Sequence, residues 1–197
     1  MAFGPSGDCC LSIYHLVDGT GALVLPWHAQ ILEIGCAEAD WIGPMLADRP
    51  DVQITGIDWR ECKRPGTVVR GDVLTHDWPY ASFDAVVGIS SIEHIGLGHY
   101  ECDPLDVDGD RHCMERVVRW LKPGGWAYAD VPYGPEYRVE GTSHRVYDYA
   151  ALLSRLVVPG LWLKRRWFSD EDGMTLWDAP QPPGARMQYV AVLLRKE

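Results

Sequence analysis

Short apolar runs that stop at glycine or aspartate recur along the middle of this chain. Ile31-Leu32-Glu33-Ile34-Gly35 is the first, a buried-strand pattern running into a tight turn. Residues 52–57 form a second, followed by Asp58, and residues 67–69 a short third that ends at Gly71-Asp72. Residues 83–89 (FDAVVGI) are apolar nearly throughout, as a central parallel strand should be. Residues 126–131 are a fifth run, stopped by Pro132, and residues 161–168 and 187–195 read as two more strands.

Between the runs the period changes. Met114, Val117, Val118 and Leu121 fall at i, i+3, i+4 and i+7, which predicts an amphipathic helix over 111–121. Asp110 is placed to cap it and Lys122-Pro123-Gly124-Gly125 to end it. Residues 39–48 carry Trp41, Ile42, Met45 and Leu46 at helical spacing, with Asp40 as a cap. Residues 147–158 read as helical, with Pro159-Gly160 as the stop. Strands alternating with helices predict an open, mostly parallel sheet with helices on both faces.

The chain has 197 residues, which suits one domain with some decoration. Its net charge of -10 argues against a phosphate-reading surface, so no nucleic-acid partner is expected. No apolar run approaches the ~20 residues of a membrane-spanning helix, and residues 1–10 lack the charge-then-apolar order of a signal peptide. None of the six cysteines stands in a CxxC spacing, so reduced thiols and a cytoplasmic location are expected. Nine Trp and nine Tyr suit a core, and also the lining of an organic-ligand pocket.

Ligands of such sheets sit beyond the carboxyl ends of the strands. After the first strand, Gly35 lets the backbone turn sharply and come close to a ligand, and Ala37 and Ala39 are the next smallest choices. This loop follows a strand and opens a helix, as a nucleotide-type site requires. Asp58 lies 25 residues past Glu33, where a carboxylate accepts hydrogen bonds from both hydroxyls of a ribose. Asp72-Val73 places a carboxylate beside an apolar side chain, suited to an adenine amino group and ring face; Asp72 also reads as a simple turn cap.

In order, ILEIGCAEAD (31–40), ITGID (54–58), GDV (71–73), FDAVVGISSIEHI (83–95) and WLKPGGWAYADVP (120–132) resemble the class I S-adenosylmethionine (SAM)-dependent methyltransferases. The resemblance covers about residues 30–133, and the two late strands with YVAVLLR fit that family's final hairpin. It implies an α/β fold: a Rossmann-like, seven-stranded, mostly parallel sheet, helices on both faces and a C-terminal antiparallel hairpin. Residues 1–28 are then an N-terminal arm or lid and residues 29–197 the methyltransferase domain.

The resemblance also implies SAM as cofactor. Glu33 and Gly35, with Ala37 in the same loop, would hold its methionine end, and Asp58 its ribose hydroxyls. Trp59 would cover one adenine face, or be core. Asp72 would meet the adenine amino group with Val73 in support, and Ser90 would sit by the methionine carboxylate. Ala37 and Ala39 depart from the pattern, since the family usually has glycines there. SIEHIGLGHY and DPLDVDGD look like a subgroup linked to sugar or polysaccharide methylation.

SAM carries its own reactive sulfonium, so the protein's main task is in-line alignment of an acceptor. A hydroxyl acceptor must also lose a proton, which calls for a base that titrates near neutral pH. His94, four residues past Ser90, is the candidate; Glu93 either orients it or faces away, and the pair alternatively only shapes the cofactor pocket. His144, in the loop expected over residues 133–146, is the rival base, and Tyr133 and Tyr137 are candidates for the acceptor pocket.

Asp103, Asp106, Asp108 and Asp110 invite a hard-metal reading, and His99, Cys102, His112 and Cys113 a zinc one. Neither has a familiar spacing, so no metal is assigned and the stretch reads as a solvated loop with a helix cap. The expected function is methyl transfer to a hydroxyl of a small-molecule or glycan substrate. Two alternatives stand beside it: a non-catalytic SAM-fold binding or partner subunit, and methylation of a protein or nucleic acid.

Overall fold

Strand β4 (Phe83–Ile89) is the spine of the sheet, with Ala85, Val86 and Val87 all buried between its two faces. The computed structural model describes residues 25–38, 49–62, 66–99, 104–169, 176–177, 180 and 188–197. Around β4 lie β1 (Gln30–Ile34), β2 (Gln53–Asp58), β3 (Thr67–Arg70) and β5 (Leu121–Tyr133). They are followed by β6 (Arg138–Glu140), β7 (His144–Val146), β8 (Leu161–Ser169), β9 (Leu176–Trp177) and β10 (Gln188–Lys196). The main sheet runs β3-β2-β1-β4-β5-β10-β8-β9. Its first five strands are parallel. β10 lies antiparallel between β5 and β8, the expected late hairpin. The seven-stranded, mostly parallel sheet is thus present, and two-residue β9 adds an eighth strand at the edge.

The chain moves outward from β1 to β2 and β3, then returns to β4 on β1's other side. That reversal makes the carboxyl ends of β1 and β4 the switch point where open α/β sheets hold ligands. Alternation along the strands builds two apolar layers. Leu32, Ile34, Ile57 and Val86 face one; Ile31, Ile54, Val87 and Tyr128 face the other. Helix α1 (Gly109–Trp120) and the short helix α2 (Tyr149–Ala151), which widens into a π turn over Leu152–Leu156, both pack on the first layer. The helix expected over 39–48, with its Asp40 cap, lies outside the described residues, as does most of the arm at 1–28. Among the described residues no helix is long and apolar enough to cross a membrane.

Two expectations need correction. Residues 133–146 are not loop throughout, because β6 and β7 pair there as a separate antiparallel hairpin. Asp110 does not cap α1. The helix begins at Gly109 after Asp108, and Asp110 is wholly buried inside its first turn. An aspartate just ahead of an apolar-periodic run looks like a cap in sequence; here it serves a buried charge network instead.

That network centres on Arg145 of β7, whose side chain is fully buried. Its Nη1 donates to the carbonyls of Glu93 (3.2 Å) and Ile95 (2.7 Å), and its Nη2 to those of Asp106 (3.3 Å) and Val107 (3.2 Å). Its Nε faces Asp110 Oδ1 at 3.5 Å, an ion pair without hydrogen-bond geometry. Asp110 also accepts from Arg155 Nη2 (2.6 Å) and Nε (2.8 Å) and from the Tyr147 hydroxyl (2.7 Å). One guanidinium therefore straps the chain after β4 to the turn before α1. Gly96 makes the strap close enough: its φ is +79°, and a Cβ there would lie 2.3 Å from the Asp106 carbonyl oxygen.

Removing one member of such a network leaves its partners desolvated and unmatched. Arg145→Met is expected to cost about 3–5 kcal/mol of unfolding free energy. Urea denaturation measures it, and a loss no larger than that of an exposed ion pair contradicts the strap.

Candidate functional site

The site starts where β1 ends. Gly35 has φ +77°, and its N–H donates to the Ile57 carbonyl at the end of β2 (2.9 Å). A Cβ on Gly35 would lie 2.4 Å from Ser91 Cβ, so the turn after β1 and the segment after β4 touch only because residue 35 has no side chain. Ser91 closes the contact by donating from Oγ to the Ile34 carbonyl (2.9 Å). Glu33, two residues earlier in β1, is buried.

Asp58 stands at the end of β2 and is nearly buried. Its Oδ2 accepts from the Ala37 N–H at 2.9 Å, joining the two loops. Its Oδ1 accepts from the Arg60 N–H at 2.8 Å. The Arg60 side chain also reaches back onto it, Nε to Oδ1 at 3.1 Å and Nη2 to Oδ2 at 3.2 Å. Cys62 lies just beyond, its Sγ 2.9 Å from that of buried Cys36. Arg60 and the thiol pair were not among the expected site residues. Cys36, Asp58 and Cys62 are the three metal-capable side chains that converge among the described residues.

Asp72 makes its own turn: Oδ1 accepts from the Leu74 N–H (2.8 Å), and its carbonyl accepts from His76 (2.8 Å). The cap that the sequence allowed is therefore present. Val73 belongs to the first apolar layer, whereas Trp59 is half-buried and in neither layer.

A second group gathers beyond β4. Ser90 is exposed and holds φ +42°, a strained value for a non-glycine residue and one that clusters at functional sites. Asp130, fully buried in β5, fixes it by accepting from the Ser90 N–H (2.7 Å) through Oδ1 and from the Tyr128 hydroxyl (3.0 Å) through Oδ2. Ser90 Oγ donates to Glu93 Oε1 at 3.0 Å. Glu93 faces inward: it is buried, its Oε2 has no hydrogen-bond partner, and burial pushes its carboxyl up to about 7.

His94 Nδ1 lies 2.5 Å from the Ser143 carbonyl. A carbonyl only accepts, so Nδ1 carries the hydrogen, and in the neutral ring Nε2 carries the lone pair. That Nε2 is 3.6 Å from Glu93 Oε1. The His144 and His99 rings stand 6.1 Å and 6.0 Å from the His94 ring. His144 is held below its ordinary value by burial and by the neighbouring His94, so it stays neutral near pH 7. The structure thus brings both candidate bases together, with Glu93 behind them.

The acidic stretch is occupied by the protein's own cations. Asp106 meets His112 Nδ1 at 2.6 Å, Asp108 meets Arg155 Nη2 at 3.1 Å, and Asp110 belongs to the Arg145 network. Asp103 and Cys102 lie outside the described residues. Cys113 is buried in α1, its thiol pushed far up by burial.

The fold is similar to that of several solved structures. A Burkholderia thailandensis 1,6-didemethyltoxoflavin-N1-methyltransferase, solved with 1,6-didemethyltoxoflavin and S-adenosylhomocysteine, matches with a TM-score of 0.69 at 16% identity, over 98% of this chain and 78% of that one. The N-methyltransferase NodS from Bradyrhizobium japonicum WM9, in complex with S-adenosylhomocysteine, matches with a TM-score of 0.58 at 16% identity, over 95% and 85%. The [4+2]-cyclase SpnF matches with a TM-score of 0.64 at 15% identity, over 95% and 79%. A search of curated proteins returns no match. The chain has the class I SAM-dependent methyltransferase fold, and at these identities the likeness speaks for the fold alone. By sequence it belongs to the family described as Caenorhabditis protein of unknown function, DUF268, whose model matches residues 68–175.

Glu93 generates a pH prediction. In the unfolded chain a glutamate releases its proton near 4.5, whereas folded Glu93 holds it to about 7. The unfolded state then binds fewer protons between those values, so this group's contribution to stability falls as pH rises through that window. Glu93→Gln has no proton to release and loses that slope. Urea midpoints from about pH 5 to about pH 8 are expected to fall more steeply for wild type than for the variant; parallel curves contradict the assignment.

Proposed function

We propose that the protein is a SAM-dependent methyltransferase that methylates a hydroxyl oxygen of a small-molecule or glycan acceptor. The observation that carries this reading is Asp58, held at the end of β2, next to the switch point, by the N–H of Ala37 in the loop that follows the Gly35 turn. The donor set suits the cofactor: a carboxylate for two ribose hydroxyls at the end of β2, buried Glu33 at the end of β1, and strained, exposed Ser90 at the end of β4. In this reading Glu33, Gly35, Ala37 and Ser90 serve the methionine end, and Trp59, Asp72 and Val73 the adenine. The likeness to enzymes solved with S-adenosylhomocysteine supports it.

Bound SAM supplies an electrophilic methyl group on a sulfonium. His94 takes up the acceptor's proton at Nε2, because Nδ1 is committed to the Ser143 carbonyl. Glu93, 3.6 Å away, stabilises the imidazolium that results once its own proton has left. His144 is the alternative base, kept neutral by its surroundings. A small acceptor fits this reading, because the β6–β7 hairpin, through the Ser143 carbonyl, and Arg145, through the Glu93 carbonyl, both lie against the turn that carries His94.

One observation favours a second reading, a SAM-fold partner subunit without catalysis. The Arg60 fork lies on the carboxylate that the ribose needs, and Ala37 stands where glycine is usual. Calorimetry decides between them. SAM or S-adenosylhomocysteine is expected to release heat on binding, Asp58→Ala to abolish it, and His94→Gln to preserve it. With methyl-tritiated SAM and a panel of sugars and hydroxylated aromatics, His94→Gln is expected to slow transfer by about 10²–10⁴-fold. Absence of heat with either ligand contradicts the enzyme; equal loss of binding in both variants contradicts the division of roles.

A further inference from the structure

We infer that Cys36 and Cys62 form a redox-closable dithiol, and that its disulfide holds Arg60 on Asp58 and so shuts the nucleoside side of the site. This inference rests on the proposed role of Asp58. The two Sγ atoms are in direct contact at 2.9 Å, although 26 residues separate them in sequence. Cys36 directly follows the Gly35 turn and is completely buried; Cys62 is half-buried. The pair therefore ties the loop after β1 to the loop after β2.

Two observations favour a disulfide over a metal ion. Asp58, the third member of the cluster, already accepts from Ala37 and from the backbone and guanidinium of Arg60, and a guanidinium beside it opposes a second cation. Two thiolates sharing a metal, each about 2.3 Å from it at tetrahedral geometry, stand well over 3 Å apart, not in contact.

Hydrogen peroxide is the oxidant by class. The more exposed Cys62 reacts first: its thiolate attacks one peroxide oxygen, the O–O bond breaks, and the hydroxide released takes a proton to become water. Cys62 is then a sulfenic acid. Cys36 sulfur attacks Cys62 sulfur, the S–O bond breaks, and the second water leaves with the Cys36 proton. Two thiols and one peroxide give one disulfide and two waters.

Closure affects the site through residues 59–62. Asp58 can receive a ribose only if the Arg60 side chain swings away. A bond at Cys62 tethers this segment to the β1 loop in the arrangement where the fork covers the carboxylate. A thiol reductant reopens it.

The test treats the full chain with peroxide, alkylates residual thiols and maps peptides by mass spectrometry. A Cys36–Cys62 linked peptide that disappears on reduction is expected; Cys62 overoxidised or alkylated with Cys36 still a thiol overturns the proposal. Linked protein is expected to bind SAM about tenfold more weakly than reduced protein, with Cys62→Ser insensitive to peroxide. Equal affinity of the linked and reduced forms overturns the gating. If neither form binds SAM, the cofactor reading fails and the gating with it, while the linked peptide alone still decides whether the pair closes.

Discussion

A single buried guanidinium organises the half of the site that chemistry would use. Arg145 is wholly enclosed, and four backbone carbonyls from two separate segments converge on its terminal nitrogens. Burying such a charge is tolerable only because Asp110 sits beside it and the carbonyls satisfy its donors. The Glu93 carbonyl is one of those acceptors, so the strap also fixes the turn that carries Glu93 and His94. His144 precedes Arg145 in β7 and is placed by the same anchor. If the strap were loose, the imidazoles would have no common frame.

The nucleoside half is built differently. There the frame is the sheet itself: β1, β2 and β4 end side by side, and the backbone, not a buried ion, sets the spacing. Gly35 lets the β1 and β4 ends meet, and the Ala37 N–H reaches Asp58 across the gap. Alanine at position 37 costs nothing in this contact, because only its N–H is used. The departure from glycine is thus compatible with the loop's geometry, and the more consequential residue is Arg60.

Legibility in the sequence followed the range of the interactions. FDAVVGI and ILEIG were readable as strands because burial on both faces selects apolar side chains at nearly every position, with Asp84 and buried Glu33 as the polar exceptions. Asp58 was readable because it follows an apolar run. The β6–β7 hairpin was not, since Arg138, Val139 and Glu140 are all exposed and carry no burial pattern. A solitary arginine such as Arg145 reads as surface, and nothing local announces the carbonyls around it. Asp110 misled because a cap and a buried counter-ion look alike one residue before an apolar period. Cys36 and Cys62 match no motif; only the parallel pairing of β1 with β2 brings their loops together.

In the proposed reading Asp58 is the ribose carboxylate, and the Arg60 side chain lies on it in this structure. A crystal structure of the reduced protein with S-adenosylhomocysteine decides the point. Both ribose hydroxyls are expected on Asp58, with the Ala37 N–H contact retained and the Arg60 fork displaced. A nucleoside bound elsewhere, with the fork still on Asp58, would contradict the reading.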